Sequence, residues 1–457
     1  MVYLRLSRNQ DQEVALMTIS TLLKKMLGVN GLVVEDVVFE TSKTGEQMVV
    51  QGHVTRHEGQ RCPICGRKCP LYDRGRGKRR WRALDVGNSM KVFIEAEAPR
   101  IACREHGVLV QRVPWARHDS RFTKSFEETT VWLCLHLSRT TVAEYLRINW
   151  DTVGPVMTRV ERELSVKRNP FDNLVNIGID ETSHKKGHKY ITVVVDHDTN
   201  RVVWVGKGYG KDVLEQFFAL LTQEQKKNIR HVSGDGARWI KDTVTDHCPQ
   251  ASFCVDPFHV VSWVTDVLDQ VRRQEWNKAR AQLAKEKKAK PKAKRGRPKG
   301  GSAPKSNAQI AVETLKSAKY PLLMNPEHLS EAYQTKLAQI LLHDKRLATA
   351  YRLKEDLRLV FRLPPEEVRP ALMKWRRRAW SSRNELLIEL QRKIKRHTES
   401  IVAAVTHGLS NARIESMNNK IKLSIRMAYG FRNLENLISL ILLRCGGLPV
   451  ILPGRVG

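Results

Sequence analysis

The sequence predicts a multidomain α+β protein, and three observations lead to this fold class. Residues 35–54 alternate apolar and polar side chains in two runs, which is typical of a β-hairpin. Residues 174–256 contain five runs rich in Val and Ile, with helical stretches between the later ones, which indicates a mixed α/β sheet. Residues 257–445 have helical spacing apart from residues 285–308. A length of 457 residues is enough for about three domains.

The remaining elements follow from local patterns. Residues 14–28 have the spacing of a short helix. The runs "KRRWRALD" and "MKVFIEAEAPRIAC" predict further strands, and residues 120–168 return to helical spacing with a turn at "RINWD". Residues 285–308 are dominated by Lys, Pro, Gly and Ser, so we expect a flexible basic loop there.

The charge balance points to a polyphosphate partner. The chain has 79 Lys and Arg against 48 Asp and Glu, a formal net charge of +31. Each phosphate that a basic side chain neutralises releases counterions, so this balance favours nucleic acid. An enzyme of small metabolites rarely needs such a charge. A basic protein that is merely soluble or associated with ribosomes is the alternative.

The sequence predicts neither a membrane span nor a secretion signal. No run of about 18 apolar residues occurs. The first residues, "MVYLRLSRNQDQEVALM", carry charges where a signal peptide needs an apolar stretch. We therefore expect a cytoplasmic protein whose 8 cysteines are not paired in disulfides.

Two pairs of metal-binding side chains lie in the first quarter of the chain. "CPICG" supplies Cys62 and Cys65, and "ACREH" supplies Cys103 and His106 with the same gap. Pairs with this spacing can meet tetrahedrally on a structural Zn²⁺, as in a zinc ribbon. Cys69 is a rival for the fourth ligand, and a metal-free set of reduced cysteines is the alternative.

Basic residues surround this predicted zinc site, so we expect the domain to contact DNA phosphates. The arginines assigned to that surface are Arg74, Arg76, Arg79 and Arg80.

Residues 138–160 have the spacing of a helix-turn-helix, with a turn at residues 148–149 and a second helix starting at Asp151 or Thr152. The apolar face of its first helix consists of Val142, Ala143 and Leu146. The second helix of such a motif enters the major groove, which assigns Thr152 to DNA. Ordinary helical packing is the alternative.

Two aspartates stand at the ends of predicted strands. Asp180 ends "NIGID", and Asp235 lies between two glycines in "HVSGDGARW". Each alone is typical of a turn or a helix cap. On neighbouring strands, however, two aspartates can share divalent cations, and Mg²⁺ needs few carboxylates because phosphate and water complete its shell. Two ions about 4 Å apart stabilise both the attacking and the leaving oxygen in phosphoryl transfer.

The segment "SNARIESMNNKIK" supplies a third carboxylate in a very basic region. On a helix its single acid, Glu415, shares one stripe with Asn411, Asn418 and Lys422. We expect Glu415 to be the third metal ligand, and Asn418 and Lys422 to position the substrate. A lone surface glutamate is the alternative.

These motifs, in this order, resemble the DDE transposases of bacterial insertion sequences. The strand aspartate, the "GDGA" aspartate, a long helical insertion and "SNARIESMNNKIK...RMAYGFRNLENL" are similar in particular to the group usually called ISL-three. The resemblance runs from Cys62 to about Arg444. It implies a ribonuclease-H-like catalytic core in which Asp180, Asp235 and Glu415 carry the chemistry with Mg²⁺, or with Mn²⁺ in its place.

The resemblance also implies a function and partners. A zinc ribbon and a helix-turn-helix would bind terminal inverted repeats, and the core would cleave these ends and join them to target DNA. A homodimer or higher oligomer on DNA is expected, at the bacterial nucleoid. A non-catalytic DNA-binding protein derived from such an element is one alternative. A tyrosine or serine recombinase is another, although no Arg-His-Arg-Tyr constellation is evident.

Three further assignments complete the predicted sites. "DPFH" places Asp256 and His259 like the Cys-or-Asp/His pair of several eukaryotic transposase groups, so His259 is expected to position the substrate; a capping Asp beside a helix-borne His is the alternative. "KRGRPKG" places Arg295 and Arg297 in the pattern of an AT-hook, against a plain solvated loop. Arg426 of the last motif is expected at the DNA.

The predicted domain boundaries follow from these assignments. The segments are 1–115 for a zinc-ribbon DNA-binding domain, 116–172 for the helix-turn-helix domain, 173–271 for the first part of the ribonuclease-H-like core, 272–405 for an all-helical insertion with the basic loop 285–308, and 406–457 for the C-terminal core helix with the catalytic glutamate.

Overall fold

The computed structural model describes residues 19–42, 45–87, 90–289, 304–409 and 412–454, without the side chains of residues 19, 412 and 413. The described residues fall in two compact units. The first unit comprises the described parts of Met1–Pro170 and Lys420–Gly457, and the second comprises those of Phe171–Asn419. Both units contain helices and strands, so the α+β class is confirmed.

The first unit begins with a helix and two small sheets. The helix is α1 (Ile19–Leu27), and the strands are β1 (Leu32–Ser42), β2 (Gly45–Val54), β3 (Leu71–Asp73), β4 (Lys78–Val86), β5 (Met90–Glu97), β6 (Arg100–Cys103) and β7 (Gly107–Val110). β1 and β2 pair antiparallel, which confirms the predicted hairpin. The larger sheet has the order β1-β2-β5-β4 and the smaller β3-β6-β7. The larger sheet buries Trp81 edge-on against Trp115, with ring centroids 5.6 Å apart.

Three helices follow in the first unit: α2 (Lys124–His136), α3 (Arg139–Leu146) and α4 (Trp150–Lys167). The predicted apolar face of α3 is buried, as expected. The second helix of the motif begins earlier than the predicted Asp151 or Thr152. Its cap is Asn149, whose side chain accepts a hydrogen bond from the backbone nitrogen of Asp151 at 3.0 Å, so Trp150 is already helical.

The second unit is built on a five-stranded sheet. Its strands are β8 (Asn176–Lys185), β9 (Lys189–Asp196), β10 (Arg201–Lys207), β11 (His231–Gly234) and β12 (Ser252–Val255), in the order β10-β9-β8-β11-β12. β8, β9 and β10 are antiparallel neighbours, whereas β11 is parallel to both β8 and β12. Helices α5 (Lys211–Ala219) and α6 (Gln223–Asn228) connect β10 to β11, and α7 (Arg238–His247) connects β11 to β12. The mixed sheet and the positions of its helices are as predicted.

A helical region follows the sheet and shares one apolar core with it. Its helices are α8 (Pro257–Ala289), α9 (Asn307–Lys316), α10 (Lys319–Leu323), a 3-10 turn (Pro326–His328), α11 (Glu331–His343), α12 (Lys345–Val360), α13 (Pro365–Ser381), α14 (Glu385–Arg396) and α15 (Thr398–His407). The predicted loop 285–308 is too long at both ends. α8 continues to Ala289 because Lys, Glu and Ala are good helix formers, and Ser306 caps α9. Residues 290–303 lie outside the described residues.

Two helices close the chain, α16 (Ala412–Met427) and α17 (Leu434–Cys445). Within the first unit, Leu440 and Leu443 of α17 join the same apolar core as Val153 and Met157 of α4. The sequence did not predict this partner for α4. Across the described part of the chain, no helix is both long enough and apolar enough to cross a membrane.

Candidate metal centre and carboxylate site

The four predicted zinc ligands come together in the first unit. The ligand atoms of Cys62, Cys65, Cys103 and His106 all lie within 4.8 Å of one another. Cys65 Sγ is 3.8 Å from Cys103 Sγ, and His106 Nδ1 is 3.8 Å from Cys62 Sγ and 3.5 Å from Cys103 Sγ. A tetrahedron around Zn²⁺ with bonds of about 2.3 Å has edges of about 3.8 Å, so the set fits a structural zinc ion.

Local backbone geometry creates this arrangement. The nitrogen of Cys62 donates to the carbonyl of Arg67 at 2.8 Å, and Gly66 takes a φ of 72° that favours glycine. The side chain of His106, together with nearby backbone hydrogen bonds, lowers the pKa of Cys103 to about 6, which favours the thiolate that metals bind. Cys69 lies outside the group of four, and its Sγ is 3.4 Å from the carbonyl oxygen of Arg67.

In the second unit, Asp180 lies on β8 among several polar groups. Its Oδ1 accepts a hydrogen bond from the backbone nitrogen of Glu181 at 2.8 Å, and its Oδ2 accepts one from Nδ2 of Asn418 at 2.7 Å. Burial raises the pKa of Asp180, and the negative charges of Asp235 and Asp256 act in the same direction. Its surroundings therefore favour a nearby positive charge.

Asp235 directly follows β11, and Asp256 directly follows β12; both strands run parallel to β8. Oδ1 of Asp235 accepts from the nitrogen of Ala237 at 2.8 Å, which holds the turn after β11. The nitrogen of Asp256, after β12, donates to the carbonyl of Gly234 at 2.9 Å. His259, in the first turn of α8, has its Nε2 3.8 Å from Oδ2 of Asp256, and its charge acts on Asp180. β8 continues to Lys185, so the prediction that Asp180 ends its strand is wrong. The parallel pairing of β8 with β11 stops at Gly178 opposite Ser233, and Asp180 and Asp235 each lie two residues beyond that pair.

α16 packs on β8 and brings Asn418 to Asp180. Ile414 of α16 leaves no room for a side chain at Gly178, since its Cδ1 is 2.2 Å from the position that a Cβ would take. Asn418 is 4% exposed, and its Oδ1 has no hydrogen-bond partner among the described residues. The amide of Asn418 therefore contacts the carboxylate of Asp180 through its nitrogen, while its buried oxygen has no partner among the described residues.

Glu415 lies one turn before Asn418 on α16, and its side chain is exposed. Asp180, Asp235 and Glu415 do not form a tight cluster. In the described part of the chain, the cysteine and histidine set is the one group of three or more such ligands within 4.8 Å. Asn411, on the predicted stripe with Glu415, lies outside the described residues. Lys422 is exposed, farther along the same helix.

A fourth acidic side chain near this site was missed from the sequence. Oε1 of Glu181 accepts a hydrogen bond from the nitrogen of Gly210 at 3.4 Å. Burial raises the pKa of Glu181, and the charges of Asp235 and Asp180 add to this effect. The adjacent acids in "NIGIDE" were the available signal, but alternation along a strand directs neighbouring side chains to opposite faces.

The residues predicted to contact DNA have different surroundings. Arg74, Arg76, Arg79 and Arg426 are exposed, and Thr152 is partly buried near the start of α4. Arg80 is paired with two carboxylates: its Nη1 and Nη2 donate to Glu40 at 2.9 and 2.8 Å, and its Nε donates to Glu95 at 2.7 Å. Arg295 and Arg297 lie outside the described residues.

Three protein-family models match the chain. A model described as "Transposase" matches residues 177–441. The "Helix-turn-helix domain of transposase family ISL3" matches residues 111–160, and the "zinc-finger of transposase IS204/IS1001/IS1096/IS1165" matches residues 58–106. These matches confirm the resemblance drawn from the motifs and place a zinc ribbon over the Cys62 to His106 segment.

Individual relatives agree with the family models. The chain is 46% identical over 437 residues to the transposase for insertion sequence element IS1557 of Mycobacterium tuberculosis, which covers 95% of this chain and 97% of that relative. It is 27% identical over 377 residues to the transposase for insertion sequence element IS1001 of Bordetella parapertussis, covering 82% and 86%.

Proposed function

The chain belongs to transposase family ISL3, and from this premise we propose that it binds the terminal inverted repeats of its element, cuts them and joins them to target DNA. The observation that carries the catalytic part is the hydrogen bond from Asn418 on α16 to Asp180 on β8, with Asp235 directly after the neighbouring strand β11. Convergence of segments that are distant in sequence on one polar site is typical of an active site.

The sheet topology supports a ribonuclease-H-like core for this activity. Three antiparallel strands are followed by two parallel ones, in the order β10-β9-β8-β11-β12. Asp180 lies on the central strand β8, and Asp235 directly follows its parallel neighbour β11. The helical region after β12 then corresponds to an insertion that separates these two aspartates from α16.

The side chains present fit Mg²⁺ or Mn²⁺. Both ions prefer oxygen ligands, and the charges of Asp235 and Asp256 add to the burial that raises the pKa of Asp180. The orphaned Oδ1 of Asn418 adds a neutral oxygen beside Asp180. We propose that Asp180, Asp235 and Glu415 hold the metal. When bound, it would stabilise negative charge on the reacting phosphate and make water a better nucleophile.

The chain's own residues orient this site. The amide of Asn418 fixes one carboxylate oxygen of Asp180, and the nitrogen of Ala237 fixes one oxygen of Asp235. His259 and Lys422 remain proposed substrate-positioning residues. A water oxygen would attack phosphorus and displace the 3′ oxygen, which takes up a proton, so that a 5′-phosphate and a 3′-hydroxyl result. This hydroxyl would lose its proton, attack a target phosphodiester and displace the target's own 3′ oxygen, which leaves as a new 3′-hydroxyl. No covalent bond between protein and DNA would form in either step.

Recognition of the repeats is proposed for the first unit. Arg74, Arg76 and Arg79 are exposed beside the zinc ribbon and available to phosphates, whereas Arg80 is already neutralised by Glu40 and Glu95. Thr152 and the start of α4 would enter the major groove. The exposed Arg426 would contact the backbone. Because two ends must be held together for joining, we propose a homodimer or higher oligomer on DNA at the nucleoid.

A strand-cleavage assay tests this function. The full chain is mixed with duplexes that carry the element's own ends, with Mg²⁺ or with EDTA, and the products are resolved on a denaturing gel. We expect cleavage at the repeat boundary by the wild type in Mg²⁺, and loss of cleavage with retained end binding in Asp180→Asn. Tight end binding without cleavage in Mg²⁺ or Mn²⁺ would instead indicate a DNA-binding protein without catalysis.

A further inference from the structure

A lysine of the helical region, Lys393, lies near the turn of Asp235 in the second unit. Lys393 lies in the last turn of α14, with Nζ 3.7 Å from the ring centroid of Trp263 on α8. The same ring packs on the turn that contains Asp235, since its Cζ2 is 2.2 Å from the position of a Cβ at Gly236. Trp263 therefore connects the turn of Asp235 directly to Lys393.

The charges around Lys393 agree with this placement. Burial lowers the pKa of Lys393, whereas the negative charges of Asp235 and Asp266 oppose that effect. Lys241, one turn into α7, and Arg396 act together with Lys393 on a common neighbour, His397. Asp235 thus acts on Lys393 directly, and all three cations lie near the same imidazole as Asp235 does.

Carboxylates act on two of these cations from beyond ion-pair distance: Asp235 and Asp266 act on Lys393, and Lys241 acts on Glu399. Among the described residues, the ion pairs within 4.0 Å do not include Lys241, Lys393 or Arg396. The Nδ1 atom of His397 is also buried without a hydrogen-bond partner in that part of the chain. Lys393 is partly buried with no carboxylate oxygen within 4.0 Å, and an anionic ligand would stabilise its charge.

The dipole of α14 does not explain the position of Lys393. Basic side chains are favourable in the last turn of any helix, and Lys395 satisfies that preference from an exposed position. Lys393 and His397, four residues apart, share the face that packs on Trp263, whose ring centroid is 5.1 Å from that of His397. The partly buried position of Lys393 against an aromatic ring needs another reason.

We propose that Lys393, supported by Lys241 and Arg396, binds a backbone phosphate of the DNA strand that enters the carboxylate site, next to the phosphate that is cut. This inference rests on the proposed function and names further residues that hold its substrate. A phosphate is the anion that a DNA substrate offers beside Asp235, and the ammonium of Lys393 would bind it as a point charge. The helical region would then take part in positioning the scissile strand.

The test combines a protein change with a DNA change. Lys393→Met keeps the aliphatic stem on Trp263 but removes the charge, Lys393→Arg restores a charge, and Lys395→Ala is the matched control on the exposed face. Each full-length protein cleaves end duplexes in which single phosphates flanking the scissile bond are replaced by neutral methylphosphonates. Rates at several duplex concentrations give KM and kcat separately.

We expect one methylphosphonate position to raise the KM of the wild type and of Lys395→Ala by about tenfold. Lys393→Met should have a raised KM on the unmodified duplex and no further loss at that position, because the contact is already absent. Lys393→Arg should recover most of the sensitivity. A purely structural role would lower the activity of Lys393→Met on every duplex alike.

The outcomes separate the two proposals. If wild type and Lys395→Ala cleave, but Lys393→Met is as sensitive to every methylphosphonate as they are, the phosphate contact is refuted and the transposase function stands. If the wild type cleaves no end duplex at all, the proposed function fails, and the role of Lys393 fails with it.

Discussion

The side-chain nitrogen of Asn418 lies 2.7 Å from Oδ2 of Asp180, although 238 positions separate the two residues in the chain. The bond identifies α16 as part of the carboxylate site, and it orients an amide whose oxygen is buried without a partner among the described residues. The helix that carries Glu415 is thus anchored to the strand that carries Asp180. This contact supports the assignment of the "SNARIESMNNKIK" segment to catalysis.

Asn418→Ala should impair catalysis more than DNA binding. The change removes the hydrogen bond that holds Asp180 and the orphaned oxygen beside it, so cleavage in Mg²⁺ should fall about 10–100-fold. Binding to the terminal repeat, measured by gel shift, should change little. Asn419→Ala alters the exposed neighbouring asparagine and is the control. Equal cleavage by the two variants would remove Asn418 from the site.

The zinc ribbon should contain about one Zn²⁺ per chain. Cys62→Ser removes one of four ligands, so metal content, measured by mass spectrometry on protein purified without chelator, should drop close to zero. End binding should weaken because the ribbon loses its fold, while the circular dichroism of the helical region persists. Cys69→Ser, outside the group of four, should keep its metal. Loss of zinc in Cys69→Ser alone would reverse the ligand assignment.

Gly154→Ala should destabilise the first unit. Alanine is normally favoured in a helix, but here its Cβ would lie 2.2 Å from Nδ2 of Asn436 on α17. We expect a loss of about 1–3 kcal/mol in the free energy of unfolding, measured with urea. Adding Asn436→Ala should recover much of this loss, since it removes the clashing atoms. Additive effects of the two changes would show that α17 does not pack on α4 as described.

His397 should make the second unit less stable in mild acid. Burial and three nearby positive charges lower its pKa from 6.5 to about 4, against the opposing charge of Asp235. The three are Lys393, Lys241 and Arg396. The pKa of His397 is lower in the folded than in the unfolded chain. The contribution of neutral His397 to the free energy of unfolding is therefore complete above pH 6.5 and is lost as the pH falls toward 4.

The corresponding experiment compares wild type with His397→Gln in urea at pH 7 and pH 5. From pH 7 to pH 5, the free energy of unfolding should fall by about 1 kcal/mol more in the wild type than in the variant, after allowance for solvent screening. A parallel decrease in both proteins would show that His397 does not titrate differently in the folded chain.

Local patterns were sufficient for much of this fold. Runs of Val and Ile predicted the five strands of the second unit, and the spacing of Cys62, Cys65, Cys103 and His106 predicted a set that the structure brings together. Both signals depend on neighbours in sequence. The buried apolar face of α3 was predicted for the same reason.

Contacts between distant segments could not be predicted in this way. Arg80 had the sequence context of a DNA ligand, yet Glu40 on a different strand neutralises it. Gly154 gave no sign that Asn436 would pack against it. In sequence, Lys393 is one of many basic helix residues, and nothing there indicates that it packs on Trp263. Each of these pairings is decided by tertiary packing, which periodicity does not encode.

Strand cleavage by Glu415→Gln in Mg²⁺ tests the central claim most directly. The amide keeps the shape of the side chain but removes the charge that would help to hold the metal. We predict that end binding persists while cleavage falls about 10³-fold or more, as in Asp180→Asn and Asp235→Asn, and that combining two of these changes costs little more than one. Glu435→Gln, at an exposed acid in the first turn of α17, should cleave like wild type. Near-normal cleavage by Glu415→Gln would contradict the three-carboxylate site and leave Glu415 as a surface residue of α16.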